Sequence, residues 1–262
     1  VEYRATIECL KRHHGNTRAQ SSDLRIVMHA ALREHGLDPL VAALGAVKAL
    51  PDVDNCVVGV DNLGQLDAIA ELADRYSFGE VRNSHNQNII LADVEQAQLF
   101  SLWGELREHG FATPNVGLLT DIICCPGGDF CSLANAKSIP IAEAIQRRFD
   151  DLDYLFDIGS IDLNISGCMN ACGHHHVGHI GILGVDKKGQ EFYQVSLGGS
   201  AGRDASLAQI LGPSFAEAEM ANVIDKIIKV YVEQRTDEES FLDTFRRVGV
   251  DPFKERVYAA NH

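Results

Sequence analysis

Four cysteines in two pairs are the residues whose type and spacing could do chemistry. Five residues separate Cys125 from Cys131, and three separate Cys168 from Cys172. Thiolates from two loops can close around one compact metal centre. Glycines beside both pairs let backbone and metal centre approach closely; they are Gly127, Gly128, Gly167 and Gly173. The pattern therefore indicates a four-thiolate metal site.

Three other interpretations of the cysteines compete with an iron–sulfur cluster. Structural zinc also uses four cysteines, but its paired ligands are usually about two to four residues apart, and the first gap here is five. The C-x2-C-x2-C-x3-C run of bacterial ferredoxins is absent. The cysteines could also be ordinary core residues. Cys124, next to Cys125, would point the opposite way along a strand and is expected in the core.

The cysteine context resembles the sirohaem-dependent sulfite and nitrite reductase haemoprotein family. C-x5-C followed by Gly-Cys-x-Asn-x-Cys-Gly at 167–173 is similar to the cluster signature of that family. The segment 82–90 resembles the ferredoxin-like half that precedes the cluster domain, and the glycine-rich loop 198–203 resembles one that follows its last core strands. The resemblance covers roughly residues 56–258. One departure is Met169, where the family usually has proline.

The resemblance implies cofactors, roles and partners. Cys125, Cys131, Cys168 and Cys172 would hold a [4Fe–4S] cluster, the Cys172 thiolate would also bond the sirohaem iron, and Asn170 would lie against the cofactors. The implied activity is the six-electron reduction of sulfite to sulfide in sulfur assimilation. Nitrite reduction to ammonia and a non-catalytic [4Fe–4S] electron-transfer subunit are the alternatives. The electron donor would be ferredoxin or a flavoprotein.

The net charge of this chain limits which cofactors and substrates it could bind alone. The family chain is normally about twice as long, and its first half supplies most of the basic residues that grip sirohaem and substrate. Here 23 basic residues face 37 acidic ones, a net charge of −14. Buried carboxylates need Arg or Lys partners, and positions 118–205 offer only Lys137, Arg147, Arg148, Lys187, Lys188 and Arg203. We therefore expect the C-terminal half of an enzyme that needs a basic N-terminal half or partner chain.

The same composition argues against other classes of protein. An acidic chain without a basic stripe is not expected to bind nucleic acid. The sequence contains no run of 18 apolar residues, so it predicts no membrane-spanning helix. Residues 1–25 contain no apolar signal segment. The chain has seven cysteines, an odd number, and most of them are clustered. In a reducing compartment such clustering favours metal chemistry over disulfides. A cytoplasmic location is expected.

The predicted elements indicate an α+β fold. Residues 1–55 form a helical segment of unclear origin. Residues 56–117 follow a β-α-β-β-α order typical of a ferredoxin-like subdomain, in which Asp93 and Gln96 form a capping box. Residues 118–262 form a mixed α/β cluster and sirohaem domain: a strand at 118–124, a helix at 141–149, a strand at 163–165, a hairpin at 180–197 and a long helix at 216–234. Each cysteine pair is expected where a strand ends and a helix begins. Helical spacing also predicts the apolar faces of three helices, which are Leu66, Ile69, Ala70 and Ala73 in the first, Leu99, Leu102, Trp103 and Leu106 in the second, and Met220, Val223, Ile224, Ile227 and Tyr231 in the last.

Four histidines follow the second cysteine pair, at positions 174, 175, 176 and 179. Imidazole is a common metal ligand. The preferred interpretation is nevertheless that they line the cluster helix and donate hydrogen bonds or fill an interface.

Overall fold

A computed structural model describes residues 63–236 and 239–259. The helical segment predicted for 1–55 and the strand predicted for 56–60 lie outside the described residues. The chain divides into two compact units, Val1–Thr113 and Pro114–His262. No helix in the described part of the chain is long and apolar enough to cross a membrane.

The described part of the first unit, from residue 63 onward, holds two α-helices and a small antiparallel hairpin. Its elements are α1 (Leu63–Tyr76), β1 (Val81–Asn83), β2 (Ile89–Leu91) and α2 (Leu99–Glu108). The buried face of α1 consists of Ala68, Ile69, Leu72 and Ala73. Ile69 and Ala73 were predicted, whereas Ala70, which was also predicted, is exposed.

The predicted capping box of this unit is wrong. Asp93 has a left-handed backbone (φ 55°), and its carboxylate accepts a hydrogen bond from Arg82 at 3.1 Å. A short 3-10 turn, Gln96–Gln98, precedes α2, so the side chain of Asp93 caps no helix. Within α2 only Leu102 of the predicted apolar stripe is buried, while Leu99 and Trp103 are exposed.

The second unit is built on a five-stranded mixed sheet in the order β3-β4-β5-β6-β7. The strands are β3 (Ile123–Cys124), β4 (Leu163–Ser166), β5 (Ile180–Lys187), β6 (Gln190–Leu197) and β7 (Gln209–Ile210). β3, β4 and β5 are parallel neighbours, and the remaining pairs are antiparallel. Lys188 and Gly189 turn the β5–β6 hairpin with positive φ, which matches the right-handed twist of the strands.

The two faces of β4 differ because side chains alternate along a strand. Leu163 and Ile165 belong to the hydrophobic core. Asn164 and Ser166 are also buried but point to the opposite face. There Asn164 is in register with Gly181 and, across β5, Gly181 with Ser196. One face therefore packs against helices, and the other is lined by small and polar residues.

Six α-helices complete the described part of the second unit. They are α3 (Gly127–Phe130), α4 (Ile139–Arg148), α5 (Leu152–Ile158), α6 (Met220–Gln234), α7 (Phe241–Val248) and α8 (Asp251–Tyr258). The central α6 contacts α4, α7 and α8. It buries all five residues predicted for it, Met220, Val223, Ile224, Ile227 and Tyr231, and also Ile228 and Val230.

The strand predicted at 118–124 is mostly a turn. Gly117 has φ 77°, and the amide of Leu118 donates to Asn115 O at 2.9 Å while that of Asp121 donates to Leu118 O at 2.9 Å. These turn hydrogen bonds use backbone groups that a strand would give to its neighbour. Only Ile123–Cys124 pairs with β4.

The hydroxyl of Tyr231 links α6 to the end of α5 and to the segment before α7. It is buried and lies 3.0 Å from both Ile158 O and Glu239 O. Tyr231→Phe leaves these two carbonyls without that partner, so we expect the free energy of unfolding to fall by about 1–3 kcal/mol. Tyr154→Phe is the matched control, since the Tyr154 hydroxyl makes no hydrogen bond within the described residues. Chemical denaturation of both variants measures the difference, and equal stability would contradict this role.

Candidate metal centre

Parallel pairing of β3 and β4 brings one cysteine of each pair to the same sheet edge. Cys124 is in register with Ile165, and the amide of the next residue, Cys125, donates to Ile165 O at 3.1 Å. Cys168 lies two residues beyond the end of β4. The carboxyl ends of parallel strands meet at one edge. Cys125 and Cys168, both buried, therefore start their loops side by side.

Cys131 follows the single turn of α3. Its amide donates to Gly127 O at 2.9 Å. The loop after it is fastened to β4, because the amides of Asn135 and Ala136 both donate to Gly167 O, at 2.8 and 3.0 Å. A Cβ on Gly127 would stand 2.4 Å from the amide nitrogen of Ser138. Gly127 is thus required for the two ends of the loop to approach.

Cys172 lies in a tight turn rather than at the start of the helix predicted after Cys168. Ala171 and His174 have left-handed backbones, with φ 57° and 55°. The amide of Ala171 donates to Cys168 O at 3.2 Å, and that of His174 to Ala171 O at 2.7 Å. Only a 3-10 turn, His175–Val177, follows. The helix prediction is wrong because successive turn hydrogen bonds replace the helical ladder.

Cys172 is the exposed member of the set, whereas Cys125 and Cys168 are buried and Cys131 is half-buried. The pKa of the Cys172 thiol is raised, first by partial burial and then by the negative charges of Cys125, Cys168 and Cys131. The Cys172 thiol therefore lies within electrostatic range of the other three cysteines. Asn170, in the same turn, is exposed.

A single ion and a four-iron cluster require different arrangements of their ligands. Zinc bonds each sulfur at about 2.3 Å and draws its ligands tightly together. A cluster of four irons and four sulfides is larger and keeps its thiolates farther apart. Within the described residues, no group of three or more His, Cys, Asp or Glu side chains is arranged to hold one metal ion.

Backbone polarity at the site favours thiolates. The amide of Gly167 donates to Cys125 Sγ at 3.0 Å, and Ser138 Oγ lies 3.5 Å from the same sulfur. Hydrogen bonds to cluster sulfurs tune iron–sulfur centres. Ser138 is fully buried. Nothing in its sequence context distinguished it, because only the folded loop brings it beside Cys125.

Cys124 differs from its neighbour. Burial raises the pKa of the Cys124 thiol to about 12, and the side chain packs against the hydrophobic core. Its Sγ donates to Cys125 O at 3.2 Å. A thiol that holds its proton this firmly is a poor metal ligand.

The histidines do not line a helix. His179 is half-buried, and its Nδ1 accepts a hydrogen bond from the amide of Asp162 at 3.1 Å. His174 and His176 are exposed, and His175 is half-buried. The pKa of His175 is lowered by burial and then by His176. The alternative that they ligate a single metal finds no support in the described residues.

His179 should make the cluster-free fold sensitive to acid. Burial lowers its pKa, outweighing the opposing effect of Asp162, and a protonated Nδ1 could not accept from Asp162 N. The unfolded chain binds this proton near pH 6.5, before the folded chain does. Stability present above pH 6.5 is therefore lost as the pH falls through the folded pKa. We expect His179→Gln to lose less stability than the unaltered chain between pH 7 and 5 in denaturation series.

Most cations of the cluster domain are already engaged. Arg147 pairs with Glu143 at 3.3 Å and Arg148 with Asp225 at 3.1 Å. Lys137 lies 3.6 Å from Asp129, and the Lys187 ammonium lies over the Phe192 ring at 5.0 Å. In the part of the chain that the structure describes, Lys188 and Arg203 are the members of the predicted set without such a contact.

Family profiles match both units of the chain. The profile described as nitrite and sulphite reductase 4Fe-4S domain matches residues 117–261, more than half of the chain. The chain belongs to the nitrite and sulfite reductase family. The nitrite/sulfite reductase ferredoxin-like half domain matches residues 55–109. An iron–sulfur cluster is therefore implied for the second unit of this family member.

Curated relatives of this family member are reductases with two different named substrates. A chloroplastic ferredoxin–nitrite reductase of Betula pendula is 31% identical over 58% of this chain and 27% of its own length. A ferredoxin sulfite reductase of Mycobacterium tuberculosis is 28% identical over 72% of this chain and 36% of its own length. The chain thus spans about a third of the length of the relatives it matches.

Solved structures agree with the fold. The NirA protein of Mycobacterium tuberculosis matches with a TM-score of 0.61 and 27% identity over 72% of this chain and 36% of that one. Dissimilatory sulfite reductase I matches with a TM-score of 0.61 and 14% identity, which shows the fold alone. The expected α+β fold with a ferredoxin-like half domain is confirmed.

The loops around the four cysteines fit a cluster. A Cβ on Gly167 would stand 2.6 Å from Ala136 O, and one on Gly173 would stand 2.0 Å from Ile165 O. Backbone packs directly against backbone at these points, and the Gly167 amide points at sulfur. Donor chemistry and close packing are both those of an iron–sulfur site.

Proposed function

We propose that this chain is the C-terminal half of an assimilatory sulfite reductase haemoprotein. Cys125, Cys131, Cys168 and Cys172 hold the [4Fe–4S] cluster, and the Cys172 thiolate also bonds the iron of a sirohaem. When bound, the coupled cofactors would pass on, one at a time, the six electrons that an external donor supplies for the conversion of sulfite to sulfide. The proposal is supported by two loops that begin side by side at one edge of the sheet and carry four cysteines, only one of which is exposed.

The unequal exposure of the cysteines gives each a role. Cys125 and Cys168 are shielded from solvent, and the Gly167 amide stabilises negative charge on Cys125 Sγ. Cys172 is the thiolate that the sirohaem iron can reach, because its side chain is exposed. Exposed neighbours surround it, with Met169 82% exposed. These residues bind and orient the cofactors, and the cofactors perform the electron chemistry.

The cations of the chain limit what it does alone. Sirohaem carries eight carboxylates, and the substrate is an anion. Among the basic residues at 118–205, all of which the structure describes, Lys188 and Arg203 make no ion-pair or ring contact, and two cations are too few to balance these charges at short range. A basic N-terminal half, in the same chain or as a partner chain, supplies the rest in this proposal.

Nitrite reduction to ammonia is the second candidate. The relative from Betula pendula, at 31% identity, is named a nitrite reductase, as is one from Synechococcus elongatus at 30% identity. Both carry ferredoxin in their names, which favours ferredoxin over a flavoprotein as electron donor here. A non-catalytic [4Fe–4S] electron-transfer subunit is the third candidate. It is favoured by the small number of basic side chains at 118–205 that are without an ion-pair or ring partner.

One absorption spectrum, recorded on protein purified without oxygen, separates a sirohaem reductase from an electron-transfer subunit and from a zinc protein. Sirohaem gives Soret and red bands, a cluster alone gives a broad brown shoulder, and zinc gives no visible band. We expect sirohaem bands when the basic half is present. A colourless protein with stoichiometric zinc would contradict the proposal. Rates with sulfite and with nitrite, using a chemical electron donor, then separate the two reductases.

A further inference from the structure

The polar face of β4 holds the turn that carries Cys172. Ser166 is 1% exposed and Asn164 is 5% exposed. Both project from the side of the strand opposite the hydrophobic core, where Gly181 and Ser196 leave room beside them. A Cβ on Gly181 would stand 1.9 Å from His175 O, so the chain after Cys172 lies flat against this face.

Ser166 binds the residue next to Cys172. The amide of Gly173 donates to Ser166 Oγ at 3.1 Å, and both residues are buried. Gly173 also lies against Ile165 O, where a Cβ would stand 2.0 Å away. The backbone one residue beyond Cys172 is thus fixed by a hydroxyl and by direct contact with the strand.

Asn164 binds the next residue along. Its Nδ2 donates to His174 O at 3.1 Å. The opposite orientation of the amide would set Oδ1 against that carbonyl oxygen, and two acceptors repel. The hydrogen bond therefore fixes both the rotamer of Asn164 and the position of His174.

The turn needs these anchors because its backbone is strained. Ala171 and His174, on either side of Cys172 and Gly173, have φ 57° and 55°. Side chains with a Cβ rarely adopt this region, and such residues persist only where their surroundings fix them. Cys172 itself is exposed, so packing around its side chain contributes little to holding it.

We infer that Asn164 and Ser166 are positioning residues that set the place of the Cys172 thiolate. The inference rests on the proposed function, since it assigns their purpose to the thiolate shared between cluster and sirohaem. They act through Gly173 and His174, whose backbone groups they bind. The expected consequence of removing either side chain is a cluster held less firmly at its Cys172 corner.

The test compares Ser166→Ala with Ser196→Ala. Ser196 is a matched control because it is buried on the same sheet face, and its hydroxyl donates to Gly181 O at 3.4 Å. The full chain is reconstituted with iron and sulfide, and the loss of the brown chromophore to an iron chelator is followed. Mutation of a residue that orients a metal ligand typically lowers metal affinity by about 10–100-fold. We expect Ser166→Ala and Asn164→Ala to lose the brown chromophore about 10-fold faster than the unaltered chain, and Ser196→Ala to lose it at the unaltered rate.

Two further readouts separate positioning from a general loss of stability. In the cluster-free chain, hydrogen exchange at the Gly173 amide should accelerate in Ser166→Ala and recover in Ser166→Thr, which keeps the hydroxyl. The electron paramagnetic resonance signal of the reduced cluster should shift in Ser166→Ala and be unchanged in Ser196→Ala. Equal chelator rates and unshifted signals in Ser166→Ala and Ser196→Ala would overturn the positioning role alone. A chain that takes up no iron and sulfide would contradict the proposed function, and this inference with it.

Discussion

Replacing Cys125 with serine is expected to abolish the iron–sulfur chromophore, while Cys124→Ser leaves it intact. Cys125 is buried at the sheet edge with an amide donating to its sulfur, and Cys124 points into the core. Serine does not ionise near neutral pH, so it offers the iron no thiolate. The same loss is expected for Cys131→Ser, Cys168→Ser and Cys172→Ser. Iron content and visible absorption after reconstitution measure it.

Cys124→Ser is the matched control, because the two cysteines are adjacent in the chain. Denaturation of the cluster-free proteins checks that each variant folds. If Cys124→Ser bleached the protein and Cys125→Ser did not, the register of ligation would be wrong by one residue.

The isolated chain is expected to bind [4Fe–4S] weakly, to bind little sirohaem and to reduce neither sulfite nor nitrite. An octa-anionic macrocycle beside a cluster with four thiolates concentrates negative charge in a chain of net charge −14. Each buried carboxylate without a partner costs several kcal/mol. The cations that could help are mostly paired already, as Arg148 is with Asp225. Sirohaem stoichiometry and turnover with a chemical electron donor measure the deficit.

Adding the basic N-terminal half, in cis or in trans, should restore the red absorption and the activity together. An acidic protein of similar size serves as the control for nonspecific effects. Measurable turnover by the lone chain with stoichiometric sirohaem would contradict the half-enzyme interpretation and leave the family assignment standing.

Local patterns predicted the core elements well. The apolar spacing along α6 identified all five of its predicted buried residues, because a long amphipathic helix has one solution for its buried face. The hairpin at 180–197 followed from two apolar runs around Asp-Lys-Lys-Gly. The four-cysteine metal site, which the spacing of the cysteines indicates, stays a prediction that the cysteine variants test.

Features that depend on tertiary contacts were missed. The capping box at Asp93 failed because Arg82, eleven residues away in sequence, binds that carboxylate. The helix expected after Cys168 failed because β4 holds the turn through Ser166 and Asn164. In the sequence Leu-Asn-Ile-Ser the alternation of apolar and polar residues was visible, but not what the polar face would bind.

The iron and acid-labile sulfide content of the anaerobically reconstituted chain distinguishes a [4Fe–4S] cluster from a single bound metal ion. With excess iron and sulfide, and with zinc also present, we expect bound iron and sulfide to approach four of each per chain, in equal amounts, as in a 4Fe-4S domain. The brown absorption should bleach on reduction, and Cys125→Ser should retain neither element. One equivalent of zinc without sulfide, or iron retained fully by Cys125→Ser, would contradict the proposed cluster.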